Sequence, residues 1–500
     1  QNRARYDITI TAMPPDRNIK GTEKIVYFNN SPDTLRNPLI KLFLNIHKPG
    51  APREFPASPD YITEGITIDA CTVNGKKTAL DPGFSFTVQT QLHLEQPLLP
   101  HDSVTITFDW HYEISLQSNR EGMIDSTTYY LAYFYPRIAV FDDYNGWDRM
   151  VFVDSKEFYS DFNDYSVTLN VPKNYIVWGT GTLQQPEKLL QPDVMQRFKA
   201  SFTSDATIRI ATKQDIDAKR VTAQNNMNSW QFTATDIPDM AFGISDHYVW
   251  DGASALVDKT TGRRASAQAA YNDTAEDFHY MAQFIKHSLE WLSNNWPGVP
   301  YPYEKNTVFQ GYADMEYPMM CNDGSFGTDT LFTRFVAEHE IAHTYMPFYM
   351  GINESRYGFM DEGWATTFEL LIGRSDLGTE RAEGFFKQFR VEGWANDASQ
   401  GQDIAIITPA DNLSGAGLGN NEYGKPALGY LAMMDLLGDD MFKKCLHEYM
   451  SRWHGKHPIP WDFFYTFNDA AGENLNWFWR NWFFSNNYID MGINSAAKTK

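Results

Sequence analysis

Five residues, His339-Glu340-Ile341-Ala342-His343, constrain this chain more than any others. Residues four apart share a face only on a helix, one above the other. Residues 331–346 have the composition of such a helix. Two imidazoles at that spacing bind one tetrahedral metal through nitrogen. Glu340, one residue on from His339, reaches a water at the metal's open position without ligating the metal, where it acts as a general base. The competing reading is a helix with two surface histidines.

A hydrolytic metal site needs a third protein ligand and an open fourth position. Glu362 is the candidate, in the stretch Asp361-Glu362-Gly363-Trp364-Ala365 that opens a second helical run through Leu371. Eighteen residues separate it from His343, enough for a loop that returns a second helix to the metal. Glu354 and Asp361 are weaker alternatives. The alternative role for Glu362 is a carboxylate complementing a helix N-terminus. The ligand set expected is therefore His339, His343 and Glu362, holding one zinc ion per chain.

At 500 residues the chain is too long for one compact core. Residues 1–245 read as β-rich. Val104, Ile106, Phe108 and Trp110 alternate with polar residues, as do Val167, Leu169 and Val171, Ile208 with Ile210, and Trp230 with Phe232. Asn and Pro clusters separate these runs, which suggests an antiparallel sandwich or saddle. The texture changes near residue 250. Phe278, Met281, Ala282, Ile285, Leu289 and Leu292 fall at helical spacing, a short extended piece follows around Thr307, and the rest is mostly helical from Leu331. The expected domains are thus 1–245 and 246–500.

The net charge of −21 argues against nucleic acid or an anionic membrane as the main partner. Three scattered cysteines, Cys71, Cys321 and Cys445, give neither a disulfide framework nor a cysteine zinc cluster. No apolar run is long enough for a membrane span. The chain starts at Gln1 without Met; removal of a leader, and so export to the periplasm or outside the cell, is the expectation, with the cytoplasm as the alternative.

With these residues in place the sequence resembles the aminopeptidase N and leukotriene-A hydrolase group of zinc peptidases, the gluzincins. The two histidines and Glu362 match its metal signature. Ala313-Asp314-Met315-Glu316-Tyr317 resembles the group's Gly-x-Met-Glu-Asn motif, whose Glu binds the free α-amine of the substrate. Glu316 inherits that role, with Met315 and Asp314 beside the substrate path. Asp314 would favour Arg or Lys as the first substrate residue if it faced the pocket. Tyr423-Gly424-Lys425-Pro426 resembles the group's Tyr-x-Lys-Gly, implying that Tyr423 donates to the tetrahedral oxyanion. Tyr301-Pro302-Tyr303, Phe141-Asp142-Asp143 and the aromatic stretch from Asn474 agree less specifically. The segment after His343, Thr344-Tyr345-Met346-Pro347-Phe348, departs from the group's pattern, and no β-domain Gln that touches substrate is apparent near Tyr133.

The resemblance implies a multidomain protein, an all-β N-terminal saddle followed by a mainly α, thermolysin-like α+β catalytic domain. It implies peptide substrates, cut by an aminopeptidase with Glu340 and Tyr423 as the catalytic pair. An endopeptidase or epoxide hydrolase on the same zinc machinery, or a catalytically silent scaffold, are the rivals. Glu316 is expected to follow an extended stretch from Thr307 that forms an edge strand for the substrate. Oligomeric state is not legible.

Overall fold

The structure is a computed structural model and describes residues 1–81, 83, 86–397, 403–487, 492, 495 and 496. Alternation builds the first half. Ser103–Glu113 sends Val104, Ile106, Phe108, Trp110 and Tyr112 to one buried face, and Arg3–Thr11 alternates in the same way. Both lie in an eight-stranded sheet, antiparallel except where Arg3–Thr11 runs parallel to Asn163–Pro172. Asn18–Phe28 sits between them, with Gly21 opposite Trp110. A Cβ on Gly21 would stand 2.1 Å from the indole, so only glycine admits the ring there. A four-stranded sheet that includes Thr128–Leu131 and Phe242–Ser245 interleaves with this sheet along the chain and shares its apolar core.

The second half holds a six-stranded sheet ordered Ile208–Ala211, Val249–Asp258, Arg263–Tyr271, Lys305–Gln310, Met320–Asp323, Met315–Tyr317. Ile208–Ala211 precedes residue 245 yet pairs with Val249–Asp258, so the two halves interlock at that edge instead of meeting at one point in the chain. The strand from Lys305 is interior, flanked on both sides in parallel. The edge is Met315–Tyr317, reached by a hairpin from Met320–Asp323.

The helix expected from Phe278 onward runs as Met281–Asn294 after a short turn, and buries Met281, Ala282, Ile285, Leu289 and Leu292. The helix with both histidines is Thr330–Ala342, capped by Asp329, whose carboxylate accepts from the Phe332 N–H at 3.0 Å. It ends sooner than residue 346. Pro347 has no N–H and forces the residue before it out of the helical region, and Met346 is extended at φ −134°, ψ 113°. Residues Thr344–Tyr349 therefore make a wide turn that redirects the chain. Glu362–Leu377 returns antiparallel-fashion against Thr330–Ala342, and Lys425–Leu437 also packs on it. Among the described residues no helix is long and apolar enough to cross a membrane.

Candidate metal centre and active site

His339 and His343 rise from the last turn of Thr330–Ala342 and the residue after it, and Glu362 is the first residue of Glu362–Leu377. All three are buried. His339 Nε2 and His343 Nε2 are 3.3 Å apart, and Glu362 Oε2 lies 3.1 Å from the first and 3.4 Å from the second. Donors on a tetrahedral zinc at about 2.0–2.1 Å sit about 3.3 Å from each other. The residues present fit that ion.

The far side of each imidazole explains why the Nε2 atoms converge. His343 Nδ1 lies 2.6 Å from Asp361 Oδ1, and His339 Nδ1 lies 2.9 Å from Glu369 Oε2. A carboxylate there places the ring proton on Nδ1 and leaves the Nε2 lone pair free for a metal. Arg390 clamps Glu369 in turn, with Nη2 at 2.5 Å from Oε2 and Nε at 3.2 Å from Oε1. Burial alone would raise the Glu362 carboxyl, but His343 and His339 outweigh it and hold it well below the usual range.

Glu340 does not join the three ligands. Its Oε2 is buried and has no hydrogen-bond partner among the described residues. Burial pushes its carboxyl well above the usual range, and Glu316 and Asp323 add repulsion that His343 only partly offsets. Such a group readily holds a proton between transfers.

Glu316 is placed by strand alternation. Met315 and Tyr317 pack into the apolar core of the first half, so Glu316 points the other way. Carboxylate oxygens of Glu316 and Glu340 and a ring nitrogen of His343 lie within 4.8 Å of one another. Glu316 also comes within 4.8 Å of Glu157 and Glu354. Arg120 neutralises Glu157 through two contacts of 2.6 Å, while Glu316 makes no side-chain hydrogen bond or ion pair among the described residues. Burial raises its carboxyl well above the usual range.

Tyr423 lies in the turn Asn420–Gly424, and its hydroxyl donates to Glu362 Oε1 at 2.7 Å. The phenol keeps its proton, because burial and then Glu362 push its pKa well up. The next residue must be glycine: a Cβ on Gly424 would stand 1.7 Å from the Arg390 carbonyl oxygen. That close approach lets the Arg390 guanidinium lie 5.0 Å from the Tyr423 ring centroid. Pro426 falls in the first turn of Lys425–Leu437, where a missing N–H costs nothing.

Asp314 is not brought to the metal. It is exposed, turns the chain at φ 48°, and its Oδ1 accepts from the Gly324 N–H at 2.8 Å. Met315 is buried and its sulfur accepts from Arg120 at 3.1 Å. Sequence reasoning missed Glu369, Arg390 and Glu157, and weighed Asp361 only as a ligand. Glu369 alone had a signal: it is seven residues past Glu362, two turns along the same helix face.

A buried set of two imidazoles and a carboxylate beside an unliganded glutamate, on a β-rich half followed by a helical one, defines a zinc-dependent peptidase. Residues 316–482 match the model of the peptidase family M1 domain. Among curated proteins none matches. Among solved structures, the M1 zinc metallopeptidase from Deinococcus radiodurans superposes with a TM-score of 0.63 at 14% identity, over 99% of this chain and 96% of that one. A Glu-to-Ala mutant of that protein, solved with a Tyr-Ser-Ala substrate, gives 0.60 at 14% identity over 96% and 93%. A two-domain M1 zinc metallopeptidase mutant bound to L-arginine gives 0.61 at 14% identity over 96% and 93%. These likenesses establish a shared two-domain fold.

Proposed function

We propose that the chain is an aminopeptidase that removes the N-terminal residue from peptides, with one zinc per chain held by His339, His343 and Glu362. Zinc bound there supplies a Lewis acid for the scissile carbonyl and lowers the pKa of a water. Glu340, unpartnered and directed at the same space, takes a proton from the attacking water and passes it to the leaving amine. Tyr423 keeps its hydroxyl proton and offers it to the oxyanion. Asp361 and Glu369 hold the imidazoles in the required tautomer.

The observation that carries the exopeptidase reading is Glu316. A carboxylate that is 5% exposed and lacks a cation costs folding free energy unless a ligand completes it. A substrate ammonium is that ligand, and it would sit within reach of both Glu316 and Glu354. The edge strand Met315–Tyr317 offers backbone groups along which the substrate adds as a further strand. The test pairs a leucyl chromogenic substrate with its N-acetyl form. The free amine should be cleaved at least about a hundredfold faster, as expected when an unmet buried charge costs several kcal/mol. Glu316→Ala should lower kcat/KM mainly for the free amine. Internal cleavage of acetylated peptides at the free-amine rate would make the chain an endopeptidase instead.

A further inference from the structure

Four lysines are buried among the described residues. Lys41 pairs with Asp148 at 2.9 Å, Lys425 with Asp403 at 2.6 Å, and Lys156 with Glu54 at 3.9 Å. Lys305, 8% exposed, is the exception: among the described residues no carboxylate stands within ion-pairing distance. Its Nζ donates to two neutral acceptors, the Gly179 carbonyl and, at 3.2 Å, Thr307 Oγ1. An ammonium has three donors, and buried charges are ordinarily paired. The adjacent Glu304 is already engaged by the Thr182 hydroxyl.

A cavity of about 320 Å³ opens beside this amine, between the helix Pro192–Ser201 and the strands Ile176–Gly179 and Lys305–Gln310. Its walls are Trp178, Trp250, Phe198, Phe232 and Met195, with Lys305 itself. That volume lies within the range of small-ligand pockets, which combine apolar walls with a small number of polar groups; here Thr182, Gln268 and Lys199 line the cavity as well. None of these residues belongs to the metal centre. The buried anchor carries a single charge, and Lys199 and two carboxylates, Glu187 and Glu304, also line the cavity, so its side chains sum to no net positive charge. A multiply charged anion is disfavoured by them, whereas a monoanion with an apolar body satisfies both wall and anchor.

We propose that this cavity binds a small amphipathic monocarboxylate, its apolar body between the aromatic side chains and its head on the Lys305 ammonium. Burial lowers Lys305 to about 7, with Glu304 opposing weakly. The other charged groups facing the cavity are Glu187 and Lys199. An anion favours the charged amine, so binding takes up protons above neutral pH and weakens as pH rises.

Titration calorimetry with octanoate and with 1-octanol tests this on the intact chain. One octanoate should bind per chain at pH 6.5, at least tenfold more tightly than octanol. Its affinity should fall at least tenfold by pH 8.5, with proton uptake visible as buffer-dependent heat at pH 8. Met195→Trp fills the cavity while keeping Lys305, and should abolish binding; it also excludes the metal centre as the site. In Lys305→Met the preference for octanoate over octanol should vanish. Equal affinity for the two ligands, an affinity indifferent to pH, binding that survives Met195→Trp, or no saturable binding would each overturn the proposal.

Discussion

The metal centre and a second cluster, His287 with Glu338 and Asp376, share two helices, with His287 coming from a third, Met281–Asn294. Glu338 immediately precedes His339 on Thr330–Ala342, and Asp376 lies seven residues beyond Glu369 on Glu362–Leu377. Each cluster brings three potential ligand atoms within 4.8 Å of one another. The difference is where the chain puts its own cation. In the second cluster Arg334 sits among the carboxylates, with Nε 2.6 Å from Glu338 and Nη2 against Asp376. In the metal centre the nearest guanidinium, Arg390, stands behind His339 on Glu369. The three converging donors keep no side-chain cation between them. Residue types alone do not distinguish a metal site from an ion-pair cluster; the position of the positive charge does.

The largest expected effect separates the clusters directly. His343→Ala should lose the bound zinc and all but background peptidase activity, while His287→Ala should retain about one zinc per chain by elemental analysis. Loss of zinc in both would merge the two clusters into one functional unit. Next comes Glu340→Gln, which should keep the zinc and lower kcat by about 10²–10⁴, the usual worth of a positioned general base. A near-normal rate would remove Glu340 from the reaction.

A smaller effect concerns the carboxylate behind the ligand. Glu369→Gln keeps the shape and removes the charge that fixes the His339 tautomer. Partners of this kind are worth about 10–100-fold in metal affinity. Competition with a chelator of known affinity should show a loss in that range, and an unchanged zinc affinity would leave Glu369 a mere ion-pair partner of Arg390.

The convergence of His339, His343 and Glu362, with Glu340 beside it, was legible because a helix turns a spacing of four into a shared face, and because Glu362 opens a second apolar helical run. Glu316 was legible through its resemblance, and the structure supplies the physical reason in the opposite-facing Met315 and Tyr317. Arg390 and Glu157 were not, since each reaches the site across tertiary contacts that leave no local pattern. Asp314 read as a pocket residue because its neighbours line one; the hairpin contact to Gly324 decides its direction. The strand Ile208–Ala211 was recognised by alternation, but alternation does not say which sheet a strand joins. The helix end at His343 was misjudged because Pro347 acts four residues later, through Met346.

The smallest effect tests the second cluster from inside. Arg334→Leu removes the cation and leaves Glu338 and Asp376 facing each other, with side chains 7% and 11% exposed. Burial already raises the Glu338 carboxyl, and Arg334 is what opposes that rise. Leaving a buried partner unsatisfied costs about 1–3 kcal/mol, and the partial exposure of Arg334 puts the expected loss toward the lower figure. Thermal unfolding should show it, with zinc content intact. A second reading comes from His287, whose pKa is lowered by burial and then by Arg334. A depressed histidine contributes stability above its unfolded pKa of about 6.5 that is lost as pH falls through the folded value. In the wild type, melting temperature should therefore drop more steeply below pH 6.5 than in Arg334→Leu, where one of the two causes is gone. Should the variant instead take up a second zinc, the position of the chain's own cation would be the whole of what separates the two clusters. Should it melt as the wild type does, with the same pH slope, Arg334 would be an ordinary surface charge, and the contrast between the clusters would rest on the converging imidazoles alone.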